Sequence, residues 1–236
     1  MSPGVPDTAP IVLLHGCGGS ARATFDSTGW LAAIATCGRQ AIAPDLPGHG
    51  RGDVSHDPAH YADLAGLLAR SLPAGPFDAV GFSLGGKLVL ELALRYPARV
   101  RRLVLGGIGD NVFAPEGIAA TAAAALEDPG SAAAQHPAVR AMLRHWEPDR
   151  NDALAVAAVL RRPANPVFTR ERLHALTAPV LIINGADDPV AQHGDELLSG
   201  LANAHREILP GVDHFNLPRQ PEFRSLAFTF LGMDTH

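Results

Sequence analysis

The stretch FDAVGFSLGGKLVLELALRYP, residues 77–97, changes character at one serine. Phe77 to Gly81 is a short apolar run of strand type. Leu84 to Tyr96 places apolar residues at helical spacing, and Pro97 stops it. Ser83 stands at the junction, with Gly81 two residues before it and Gly85 two after. A very tight strand-to-helix turn requires such small neighbours, because side chains there would collide with adjacent strands. The competing reading is a helix-capping serine in a glycine-rich turn.

Outward from this junction, apolar strands alternate with helices. PIVLLHG (10–16) reads as a strand, WLAAIATCG (30–38) as a short helix, and QAIAPDLPGHGRGD (40–53) as a strand that breaks into a loop. HYADLAGLLARSL (60–72) is an amphipathic helix. VRRLVLGGIG (100–109), PVLIING (179–185) and REILPG (206–211) are further strands, with helices expected at about 192–202 and 219–231. Fully apolar strands separated by helices predict a mostly parallel sheet of about six strands with helices on both faces. Chemistry in such sheets gathers beyond the carboxyl ends of the strands. His15, Asp45, Ser83, Asp110, Asp187, Asp188 and His214 all fall just after a strand.

Residues 110–176 break the alternation. They are alanine-rich, punctuated by prolines that include Pro115, Pro129 and Pro166, and read as two to four short helices. The expected organisation is a core of residues 1–109 and 177–236, with 110–176 inserted as a helical cap; a plain helical spacer is the alternative. The first eight or so residues are expected to form a loose tail.

Bulk composition narrows the function. A chain of 236 residues fits a single α/β domain. A net charge of −5, spread evenly, gives no reason to expect nucleic acid or an anionic membrane surface as partner. Cys17 and Cys37 form neither a disulfide framework nor a zinc quartet. No apolar run approaches the ~20 residues of a membrane span, and MSPGVPDTAP lacks the marks of a secretion signal. A cytoplasmic protein without metal or cofactor, acting on a small molecule, is the expectation.

GFSLG matches the G-x-S-x-G nucleophile elbow, which lifts a serine hydroxyl clear of the sheet at a helix N-terminus. A serine needs a base, and the base an orienting acid. Eleven histidines compete for the first role. His214 follows the last strand and can reach the sheet's catalytic edge. His205 precedes that strand, His15 suits ordering of the glycine loop, and His49 suits a structural turn. The others, His193 and His236 among them, read as surface or cap residues. For the acid, INGADDP offers Asp187 and Asp188, and the spacing from Gly185 favours Asp188. Asp110 is the reserve. The chain order Ser83, Asp188, His214 is the one the elbow motif requires. LHGCGGS (14–20) can supply backbone donors for an oxyanion: Leu84 N–H and Cys17 N–H are expected, with Gly18 as fallback for the second. A phosphate loop is disfavoured, since no Lys-Ser/Thr ending follows. A Cys17 nucleophile would leave the serine elbow unexplained.

LHGCGGS, PDLPGHGRGD, GFSLGG, NGADDP and GVDHFNLPRQPEF, in this order, resemble the α/β-hydrolase superfamily over nearly the whole chain. The resemblance implies a Ser83–His214–Asp188 triad, an oxyanion hole from Cys17 and Leu84, and a short cap between the family's sixth and seventh sheet strands, its usual first two strands being absent from this sequence. Ser83 at the elbow excludes the dehalogenase and epoxide-hydrolase branches, which carry aspartate there. The activity expected is cleavage of a small or medium, largely apolar carboxylic ester. Phe82, Val112, Phe113, Met142, Trp146 and Val190 are candidates for the pocket wall, although Phe113 and Trp146 equally suit the cap's own core. The alternatives are the same triad on a thioester, lactone, amide or β-diketone, a lyase or perhydrolase, and a non-catalytic hydrolase-like receptor.

Overall fold

The computed structural model describes residues 8–113, 118–163, 168–191 and 194–233. The expected tail up to residue 7, Pro115, Pro166, His193 and His236 lie outside them. Six strands form one all-parallel sheet: β1 (Ile11–Leu14), β2 (Ala41–Ile42), β3 (Phe77–Phe82), β4 (Val100–Gly106), β5 (Val180–Gly185) and β6 (Ala204–Leu209). Their order is β2-β1-β3-β4-β5-β6. The chain therefore winds one way from β1 to β2 and the other way from β3 onward. That reversal places the β1 and β3 carboxyl ends side by side at the switch point, where α/β sheets open a crevice.

The apolar runs hide a strict alternation, because successive side chains point to opposite faces. Val12, Leu14, Ala79, Leu103, Leu105, Val180 and Ile182 face one core, with α2 (Leu64–Ala69) and α3 (Leu84–Arg95) against it. Ile11, Leu13, Val80, Val104, Leu181 and Ile183 face the other. There Trp30 and Ile34 of α1 (Trp30–Thr36) and Phe223 and Phe228 of α9 (Pro221–Phe230) cover them. Both faces are buried, so no strand could show the polar alternation of a half-exposed sheet.

Three elements differ from the expected spans. β2 has two residues, since Pro44 and Pro47 supply no N–H to extend the ladder. The helix expected over 60–72 is divided: Asp63 accepts from Gly66 N (3.0 Å) and starts α2 afresh after a 3₁₀ turn, Pro58–Tyr61. β6 begins at Ala204, in register with the whole of β5, and ends before Gly211 at φ +69°.

Between β4 and β5 come α4 (Ala119–Glu127), α5 (Pro137–Leu143), α6 (Ala153–Arg161) and α7 (Arg170–His174). Asp152 caps α6 and Thr169 caps α7 through side-chain oxygens. The first three helices pack on one another through Ala122, Ala125 and Val139, and through Ala123, Leu126 and Val156. Leu173 of α7 joins the main core instead. The last helix before the site loop is α8 (Asp195–Gly200).

Candidate active site

Ser83 has φ +52° and ψ −115°, and it alone among the described non-glycine residues has positive φ. Such strain persists only where its surroundings enforce it. A Cβ on Gly81 would lie 2.4 Å from Gly85 O, and one on Gly85 would lie 2.1 Å from Leu14 O. Both glycines are thus required by close backbone approach. Ser83 N donates to Gly106 O (2.8 Å) and Gly85 N to His15 O (3.1 Å), clamping the turn between β1 and β4. Although Ser83 sits at the N-cap of α3, its side chain makes no capping hydrogen bond. The capping reading therefore fails.

The hydroxyl instead meets His214: Ser83 Oγ and His214 Nε2 are 3.1 Å apart. On the far side of the ring, Nδ1 donates to Asp188 Oδ2 at 2.8 Å. A carboxylate can only accept, so a neutral ring carries its proton on Nδ1 and offers Nε2 to the hydroxyl. Asp188 Oδ1 accepts from the Val190 and Ala191 amides (2.7 and 2.9 Å). Burial alone would raise this carboxyl's pKa, but the His214 contact and the two amides hold it below the usual carboxylate range. Asp187 is exposed. Asp110, the reserve acid, turns its Oδ1 to Leu197 N (2.9 Å) at the start of α8 rather than to His214.

Several residues that sequence reasoning passed over hold His214 in place. Gly107 has φ +66°, and a Cβ there would come within 2.8 Å of Phe82 Cε2 and 3.0 Å of His214 Cε1. Asn184, buried at the end of β5, accepts from Gly107 N through Oδ1 and donates through Nδ2 to Ile108 O, both at 3.0 Å. Gly185 lets the Val212 carbonyl pass where a Cβ would be 2.0 Å away, which brings the His214 loop over β5. The legible signal was Asn184 itself, a polar residue closing an apolar strand.

The glycine loop after β1 is fixed by two buried histidines. His15 donates from Nδ1 to Gly16 O (2.8 Å) and accepts Leu46 N at Nε2 (2.9 Å). His49 donates to Pro47 O and accepts Gly18 N at 3.0 Å. Burial, reinforced by the neighbouring His15, lowers His49 to about 3, so it is a neutral acceptor at ordinary pH. Asn151, on the segment before α6, donates to Gly18 O (3.1 Å). With its amide spent on His49, Gly18 cannot be the fallback oxyanion donor. The Cys17 and Leu84 amides have no acceptor among the described residues. Burial pushes the Cys17 thiol up to about 11, which removes the thiolate that a cysteine nucleophile needs.

A cavity of about 900 Å³ opens beside Ser83 and His214. Phe82, Met142 and Val190 line it. Val112, Phe113 and Trp146 do not. Val112 and Phe113 pack on the main core, and Trp146 lies over the glycine loop, 3.3 Å from where a Gly18 Cβ would stand. The wall also holds the basic side chains Lys87 and Arg162. No group of three metal-ligating side chains occurs among the described residues, nor a helix long and apolar enough to cross a membrane.

A switch-point sheet with a strained serine on its central turn defines an α/β-hydrolase fold. A model of the alpha/beta hydrolase family matches residues 11–224, and the chain belongs to that family. It is 38% identical to the 2-hydroxy-6-oxo-2,4-heptadienoate hydrolase of Pseudomonas putida over 46% of this chain and 41% of that enzyme, less than half of the relative's length. It is 28% identical to the monoacylglycerol lipase of Mycolicibacterium smegmatis over 91% of this chain and 86% of that one. MenH from S. aureus shares the fold, with a TM-score of 0.75 at 19% identity over 98% of this chain and 96% of that one.

Proposed function

We propose that this protein is a serine hydrolase that cleaves a carboxylic ester of a small or medium, largely apolar substrate through an acyl-enzyme. The observation that carries the reading is the unbroken contact chain Ser83–His214–Asp188, at 3.1 and 2.8 Å, opening onto the cavity. Ser83 Oγ attacks the ester carbonyl as His214 Nε2 takes its proton. Asp188 holds the ring in tautomer and orientation, and stabilises the imidazolium. The Cys17 and Leu84 amides receive the oxyanion. The carbonyl–oxygen bond then breaks, and His214 returns the proton to the departing alkoxide, releasing the alcohol. Water repeats the sequence, frees the acid and restores Ser83. The helices α4–α6 act as a cap that closes the pocket over the acyl group.

A second reading uses the same residues on a carbon–carbon bond. It is favoured by the keto-dienoate hydrolase among the relatives, whose named substrate contains a ketone and no ester. p-Nitrophenyl esters of increasing chain length, assayed on wild type and Ser83→Ala, test the proposal. Turnover should fall by roughly 10⁵–10⁶ in the variant. Equal rates in the two proteins would remove Ser83 from the reaction.

A further inference from the structure

Lys87 follows Ser83 by four residues on α3, and its backbone N donates to Ser83 O at 3.1 Å. Residues at this spacing share a helix face, so Lys87 stands about 6 Å further along the axis on the serine's side. Its side chain enters the wall of the same cavity. There Nζ donates to the Asn111 carbonyl at 3.1 Å. An ammonium has three hydrogens, and no other acceptor for them stands among the described residues.

Among the described residues, the other charged and titratable groups of the wall make no ion pair with it. Arg162 adds a second positive charge, its guanidinium held by Val159 O. Asp110 is engaged by the Leu197 amide. His136 uses Nδ1 to accept from Ala138 N, and His214 lies at the serine end. Burial, with Arg162's charge beside it, lowers Lys87 to about 8, the direction expected for a cation without a carboxylate partner. An ammonium held in this wall with no carboxylate partner among the described residues is costly unless what enters the cavity is negative.

Resting on the hydrolase reading above, we infer that the substrate carries a carboxylate-sized anionic group, held by Lys87 and Arg162 about one helical turn beyond the scissile bond. The cavity's apolar wall accepts the short chain between the two.

The test compares monomethyl adipate with dimethyl adipate, each as substrate and as competitor of p-nitrophenyl acetate. Wild type should favour the monoanion in kcat/KM or in competition by roughly tenfold to a hundredfold, the range of a charge-assisted pair. Lys87→Met should abolish that preference and Lys87→Arg restore most of it. The ratio should also decline as pH rises through about 8, where Lys87 loses its proton. Attack by Ser83 and proton transfer by His214 are common to both esters, so the chemical step cancels in this ratio. Ser83-dependent turnover with no preference for the monoanion, or a preference that Lys87→Met leaves intact, overturns the anion site alone. Turnover that Ser83→Ala leaves intact overturns the hydrolase reading, and this inference with it.

Discussion

Gly107→Ala separates the positioning of His214 from ordinary stability. The substitution does two things at once. An L-residue at φ +66° is strained by about 1–2 kcal/mol. The new methyl also falls 2.8 Å from Phe82 Cε2 and 3.0 Å from His214 Cε1, so at least one ring must move. Overpacking of this kind costs about 1–3 kcal/mol. The total, about 2–5 kcal/mol, corresponds to a Tm fall of roughly 4–20 °C in a chain of this size. The catalytic loss has a different origin. Ser83 Oγ and His214 Nε2 are already 3.1 Å apart, close to the outer limit for proton transfer. A displacement of about 1 Å costs on the order of 10²-fold in kcat. Gly38→Ala is the control: φ is +72° there too, but nothing stands within 4 Å of the added carbon. That variant should lose about 1–2 kcal/mol and keep its kcat. The assay is p-nitrophenyl acetate turnover beside a thermal melt of each variant. A Gly107→Ala protein with wild-type kcat, destabilised no more than Gly38→Ala, would refute the reasoning.

Other outcomes follow from the same geometry. Asp188→Asn should lower kcat by on the order of 10⁴, through loss of the correct tautomer, whereas Asp110→Asn should weaken the start of α8 and cost far less activity; the reverse order would transfer the acid's role to Asp110. Asp188 has a lowered pKa in the folded state, so its stabilisation is full above its unfolded pKa of about 4 and is lost as pH falls through the folded value. Tm measured against pH should therefore show a shallower acid limb in Asp188→Asn. His49 is held neutral down to about pH 3, while the unfolded chain protonates near 6.5, so stability should drain away as pH falls between those values. His49→Gln, which can still accept Gly18 N, should lose less Tm between neutral and mildly acidic pH; an unchanged slope would contradict this. Cys17→Ala should retain activity, because the backbone amide and not the thiol is assigned a role, and a large kcat loss would count against that assignment.

The sheet was legible because parallel strands buried on both faces leave unmistakable apolar runs, and the elbow because Gly81 and Gly85 announce a backbone crossing. Asp188 and His214 could be chosen by their order along the chain. Val112, Phe113 and Trp146 could not be placed in the same way. An aromatic or aliphatic side chain in a helical insertion fits a cavity wall or a packed core equally well, and only the path of the insertion decides. The split of the second helix was written in Asp63 and Gly66, but a side-chain cap inside an amphipathic run competes with a periodicity that looks continuous.

Lys87 is the instructive omission. In GFSLGGKLVLELALRYP a cation four residues after the serine interrupts an otherwise apolar helix start, and its spacing alone puts it on the serine's face. The usual fate of such a lysine is to snorkel to solvent along its own stem. Here the stem leads into the cavity wall instead, where the ammonium meets the Asn111 carbonyl after β4 and shares the wall with Arg162 at the end of α6. One turn of α3 therefore sets two things: the strained serine at its N-cap and the charge that faces the cavity beside it. A substitution that tilts α3 against Gly81 or Leu14 should thus disturb the attack geometry and substrate selection together, whereas one at Lys87 should alter selection more than attack.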